Sequence, residues 1–106
     1  EPFFQDCRHA LSPDGVFVTN WWSGDKRYQR FIERLLNVFE GRVLELPAES
    51  HGNMAVMAFQ SSPKEQNLDK LKKRAEKLSE QYGLDFKRML NDLKANNPNN
   101  GKHFYL

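Results

Sequence analysis

Ser12-Pro13-Asp14-Gly15-Val16-Phe17-Val18-Thr19-Asn20-Trp21-Trp22 is the stretch that decides the fold class. Ser12 to Gly15 is built of turn-forming residues. Val16 to Thr19 is β-branched and aromatic with no polar alternation, which predicts a strand covered on both faces, as in a parallel sheet. Such a strand should have neighbours on both edges. Upstream, Pro2 to Leu11 predicts a helix that sets Phe3, Phe4, Cys7 and Leu11 on one face. Downstream, Tyr28, Phe31, Ile32, Leu35, Leu36 and Phe39 recur at three- and four-residue steps and form one helical stripe. Ser23 or Asp25 is expected to cap that helix and Gly41 to end it.

Arg42 to Leu46 and Met54 to Phe59 read as two further strands. A helical crossover between Val16 and Arg42 makes their strands parallel. Pro47 to Asn53 is too short for a second crossover, so the strand at Met54 should return antiparallel. Two helical stripes follow, Leu68, Leu71, Ala75, Leu78 and Tyr82, then Leu84, Phe86, Met89, Leu90 and Leu93. Helix, strand, helix, strand, strand, helix, helix is an α/β order. Residues 1–60 are expected to form an α/β unit and residues 61–106 a helical extension ending in a polar, flexible tail from Asn96 to Gly101.

Composition narrows the function classes. Of 106 residues, 39% are hydrophobic and 28% charged, which suits a folded chain rather than a disordered one. No apolar run reaches the roughly 18–20 residues that span a bilayer. Sixteen Lys and Arg against fourteen Asp and Glu is too even a balance to favour nucleic acid on charge. The imbalance is regional: residues 1–60 carry six basic and eight acidic groups, residues 61–106 ten and six. Lys70, Lys72, Lys73, Arg74 and Lys77 make a basic run, but Asp69, Glu76 and Glu80 are interleaved as a solvated helix face requires. A single cysteine, Cys7, allows no internal disulfide and suits a reducing, cytoplasmic compartment. Its helical spacing makes it a packing residue rather than a nucleophile. His9, His51 and His103 lack metal-ligand spacing, so no metal site is expected.

Asn20, Trp21 and Trp22 follow the first strand, where open α/β sheets bind ligands. An amide can orient a substrate there and an indole can face a cation, although a hydrogen-bonded turn with packed indoles would use the same residues. Glu49 and His51 pair an acid with an imidazole in the loop expected at that end. Asp25 is explained by capping.

The run Glu1-Pro2-Phe3-Phe4-Gln5-Asp6-Cys7-Arg8-His9-Ala10-Leu11, followed by Ser12 to Asn20, resembles the last crossover of the spermidine synthase family, the polyamine aminopropyltransferases. Leu46-Pro47-Ala48-Glu49 and Gly52-Asn53-Met54 resemble that family's loop between its final strands. The resemblance covers about residues 1–60. It implies the C-terminal half of a Rossmann-like, methyltransferase-type domain whose last strand is antiparallel. It also implies aminopropyl transfer from decarboxylated S-adenosylmethionine to an amine. The nucleoside-binding loop and the catalytic aspartate would then belong to a missing N-terminal half, leaving this chain without catalytic or cofactor-binding residues of its own and inactive alone. Substrate-side candidates are Asn20, where the family commonly has Gln, with Trp21, Glu49 and His51. Two departures bear on the amine: the family's Pro-x-Tyr loop has Glu49 in place of Tyr, and Trp21-Trp22 adds bulk. The tail of a small-molecule methyltransferase using S-adenosylmethionine and an interaction module docking an acidic partner are the alternatives. An open sheet edge further implies self-association as a dimer.

Overall fold

The structure is a computed structural model that describes residues 2–48 and 52–106. The chain divides into two compact units, one running to Pro63 and the other Lys64–Tyr105. The first contains α1 (Pro2–His9), β1 (Val16–Trp22), α2 (Tyr28–Val38), β2 (Val43–Pro47) and β3 (Asn53–Phe59). The second contains α3 (Leu68–Tyr82) and α4 (Phe86–Asn96).

The strands form one sheet in the order β1-β3-β2. β3 pairs antiparallel with both neighbours, Val56 standing opposite Thr19 on one side and Glu45 on the other. β1 and β2 therefore run parallel, as the crossover requires, and the last strand returns between them. Its centre is the most apolar of the three, Met54 to Phe59, and the middle place buries both its edges in hydrogen bonds. Among the described residues β1 pairs with β3 alone and lies at an edge of the sheet.

Among the described residues β1 is covered on one face. Its burial alternates residue by residue, the signature of a strand covered on one side. Phe17 and Trp21 pack against the core, whereas Val16 and Val18 face the other way, 41% and 59% exposed. A short apolar run does not distinguish one covered face from two when its polar partners are missing. β1 also continues past Thr19 through Asn20, Trp21 and Trp22.

The covered face carries the core. Phe4 of α1, Ile32 and Leu35 of α2, and Phe39 just beyond it pack with Val43, Val56 and Ala58 of the sheet. Leu35 and Phe39 are wholly buried, and each such side chain contributes about 1.5–3 kcal/mol by leaving water. Phe17 stacks on Phe39 at 6.3 Å between ring centroids, and Phe4 meets Phe17 edge-on. Two stripe residues fall outside: Phe3 and Leu36 are exposed, and Cys7 is only half-buried.

The cap expected from Ser23 or Asp25 is displaced. Arg27 holds the cap position of α2 without a side-chain hydrogen bond. Asp25 instead closes the preceding turn, its carboxylate accepting from the Arg27 backbone N–H at 2.8 Å. At the far end of α2, Gly41 does terminate the helix, its N–H donating to the Leu36 carbonyl at 2.9 Å.

In the second unit α3 packs on α4, with Leu68 and Ala75 buried. Asn67 caps α3 by accepting from Lys70 N–H at 3.0 Å, and Asp85 caps α4 by accepting from Arg88 N–H at 3.0 Å. In the polar stretch after α4, asparagine side chains meet the end of the helix. The Asn97 amide donates to the Leu93 carbonyl and the Asn99 amide to the Lys94 carbonyl, both at 2.8 Å. The chain then returns to the start of α3, where Leu68 N–H donates to the Lys102 carbonyl at 2.7 Å and Phe104 is buried. Asparagine side chains here replace water as partners of the last helical carbonyls.

Candidate functional site

Because β1 and β2 are parallel, their carboxyl ends lie at the same end of the sheet, beside the start of β3. The Ala48 N–H donates to the Asn53 carbonyl at 2.8 Å and closes the link between β2 and β3. On the β1 side, Ser23 ties to Gly52 twice: its N–H and its hydroxyl both donate to the Gly52 carbonyl, at 2.8 and 2.7 Å. Of the candidates, Glu49 and His51 lie outside the described residues.

Strand alternation sorts the others. Asn20 stands opposite Ala55, and Trp22 opposite Asn53. Cross-strand partners share a face, so Asn20, Trp22 and Asn53 belong to one face, and all three are exposed. Trp21 takes the opposite face. Its ring lies 4.1 Å from that of Phe31, and its indole nitrogen is buried with no hydrogen-bond partner among the described residues. Trp21 therefore packs on Phe31, and the indole on the opposite face is Trp22, 59% exposed.

Trp22 is held by two glycines. A Cβ built on Gly24 would come within 2.5 Å of the Trp22 ring, and one built on Gly52 within 3.3 Å of its indole nitrogen. The ring therefore lies directly over the Gly24 backbone, a place only a residue without a side chain can vacate. Reading Asn20 to Trp22 as strand rather than turn would have found this from the sequence, because residues two apart share a face. Asn53 carries no comparable signal until β3 is placed beside β1.

Two of the described acidic groups near this end, Asp25 and Glu45, are already engaged. Asp25 is held at a pKa of about 2 by the hydrogen bond from the Arg27 guanidinium, then by the Arg27 backbone N–H. It is a fixed anion at neutral pH and too weak a base to take a proton from an amine. On the covered face the Tyr28 hydroxyl donates to the Glu45 carboxylate. Burial first, and then this carboxylate, push the Tyr28 hydroxyl well above its ordinary range.

A separate open cleft of about 810 Å³ lies at the opposite end of the sheet, lined by Gln5, Arg8, His9 and Gln60 among others. Its arginine is engaged by Gln60 at 2.9 Å and by the Val38 carbonyl. The cleft is a structural junction, remote from the carboxyl ends of β1 and β2. Among the described residues no group of three or more His, Cys, Asp or Glu could hold a metal ion. No helix among them is long and apolar enough to cross a membrane.

Among the described residues, two amides, which accept and donate hydrogen bonds, and an indole face remain at the candidate site. Such a set can orient and discriminate a polar or cationic ligand.

The whole chain, 106 residues, is 86% identical to proteins of Neisseria meningitidis serogroups A and B, each named polyamine aminopropyltransferase. By sequence the chain is a relative of the polyamine aminopropyltransferases. A Chromobacterium violaceum protein of the same name is 60% identical, again over the whole chain. The chain spans 40% of the length of the Neisseria relatives and 41% of the Chromobacterium one. The family is the one that residues 1–60 resemble, but the match extends through α3 and α4, which these aminopropyltransferase relatives therefore share. No family model matches the chain, and no solved structure matches it.

Proposed function

We propose that this chain forms the strand-ending portion of an aminopropyltransferase, supplying the wall on the acceptor-amine side of the site. The observation that carries the reading is identity of 86% from end to end with proteins named for that activity. The fold supports it. A parallel pair joined through a helix, with an antiparallel last strand inserted between, is the ending implied by a methyltransferase-type Rossmann-like domain. The name shared by the relatives favours aminopropyl over methyl transfer.

In this reading a neutral amine nitrogen attacks the aminopropyl carbon next to the sulfonium of decarboxylated S-adenosylmethionine. The C–N bond forms as the C–S bond breaks, methylthioadenosine leaves, and the new ammonium gives up a proton. The chain contains no glycine-rich loop leading from a strand into a helix, so the nucleoside end of the donor is assigned to residues outside it. The family resemblance assigns the proton acceptor there too, and of the described acids at this end Asp25 and Glu45 are engaged by Arg27 and Tyr28. The isolated 106 residues are accordingly inactive, and a cytoplasmic setting belongs to the same reading.

The test is methylthioadenosine release from decarboxylated S-adenosylmethionine. A full-length relative carrying this sequence in the matching position is expected to release it in proportion to added diamine, while the 106-residue chain releases none. Absence of release from the full-length protein, or turnover by the short chain, overturns the proposal.

A further inference from the structure

We propose that Trp22 is a specificity-determining residue for the acceptor, its indole face receiving an alkyl-ammonium group. The inference rests on the aminopropyl-transfer reading and goes beyond it by naming the residue and the contact.

Three observations converge. First, Trp22 lies on the sheet face opposite the packed core, 59% exposed among the described residues, whereas the neighbouring Trp21 packs on Phe31. Second, the exposed ring is not a loose surface side chain. It lies across Gly24, where any Cβ would sit 2.5 Å from it, and against Gly52, whose carbonyl is bound twice by Ser23. A fixed aromatic plane loses little side-chain freedom when a ligand arrives. Third, Trp22 shares its sheet face with Asn20 and Asn53 at the carboxyl end of β1, where open α/β sheets take ligands. Amide oxygens accept hydrogen bonds from ammonium N–H groups, and an indole face attracts the cation itself. Neither partner carries a formal charge, so the site can hold a cationic amine without forming an ion pair. An acceptor diamine has two nitrogens with opposite needs. The attacking one must be neutral, and the distal one is free to remain an ammonium against the indole.

The experiment is steady-state kinetics of a full-length relative carrying this sequence, with 1,4-diaminobutane as acceptor. Trp22→Ala is expected to raise the KM for the diamine about tenfold, the size of a partly desolvated indole–cation contact, and to leave the KM for decarboxylated S-adenosylmethionine unchanged. Trp22→Phe is expected to retain most of the affinity, whereas Trp22→Leu, equally apolar but without a π face, behaves as the alanine variant. Unchanged diamine KM in the Trp22→Ala variant of an active enzyme overturns the inference and leaves the function reading standing. Absence of any transfer by the unmodified enzyme overturns the function reading instead. In that event the contact is read directly: saturable quenching of tryptophan fluorescence by 1,4-diaminobutane that disappears in the Trp22→Phe variant supports the site, while quenching that is absent, or unchanged in that variant, removes it.

Discussion

The Tyr28 hydroxyl donates its hydrogen to the Glu45 carboxylate, joining the first residue of α2 to the middle of β2 across the covered face of the sheet. Because α2 has no side-chain cap, this bond is what anchors its first turn to the strand that follows.

Tyr28→Phe is expected to lower stability by about 1–2 kcal/mol, the cost of removing a half-buried donor to a charged group, with the fold retained. Urea unfolding checks it. The bond also predicts an alkaline limit. The Tyr28 hydroxyl is raised above its ordinary 10.0 in the folded chain, so its contribution is complete below about pH 10 and is lost as pH rises through the folded value. The midpoint of the unmodified chain should therefore fall more steeply above pH 10 than that of Tyr28→Phe.

Arg42 is the joint at the other end of the sheet. Its guanidinium donates to the Phe59 and Gln60 carbonyls at 3.0 and 2.9 Å and to Glu40 at 3.0 Å. Arg42→Ala leaves two carbonyls at the end of β3 without these donors and is expected to cost about 2–3 kcal/mol. Glu40→Gln should have only a small destabilising effect at neutral pH, since that carboxylate is exposed.

Acid should weaken the first unit progressively. Hydrogen bonding to Arg42 first, with the charges of Arg8 and Arg42, lowers Glu40 below its ordinary 4.5, and Arg27 lowers Asp25 from 3.8 to about 2. A lowered folded-state pKa stabilises above the unfolded value and loses that effect as pH falls through the folded one. Thermal midpoints are expected to be level above about pH 5 and to decline between 4.5 and 2. A Glu40→Gln, Asp25→Asn double variant should show a shallower decline.

Gly24→Ala tests the cradle without touching the core. The new methyl must displace the Trp22 ring, because the space is already filled. The expected result is a change in near-ultraviolet circular dichroism and tryptophan emission with an unchanged far-ultraviolet spectrum. Identical near-ultraviolet spectra would mean that the ring does not rest there.

The open edge of β1 carries exposed Val16 and Val18, and an unpaired apolar edge recruits further strands. The isolated chain is expected to self-associate as its concentration rises, and Val18→Lys to shift it toward monomer by light scattering. A strictly monomeric unmodified chain would contradict this.

Hydrophobic spacing and loop length, read from the sequence alone, determined the seven elements and the antiparallel direction of the last strand. Periodicity states which side chains share a face of their own backbone, and a short link forbids a crossover. Gly41 was legible as a stop, and the caps Asn67 and Asp85, which the sequence reading passed over, act within one turn of the chain just as it does. Only the tertiary structure decided that β3 lies between β1 and β2, that β1 is an edge strand, and that Trp22 rather than Trp21 meets solvent. Those outcomes depend on which strand edges and faces find each other. Tyr28 and Glu45, or Trp22 and Gly52, are distant along the chain, and nothing local to either residue encodes its partner.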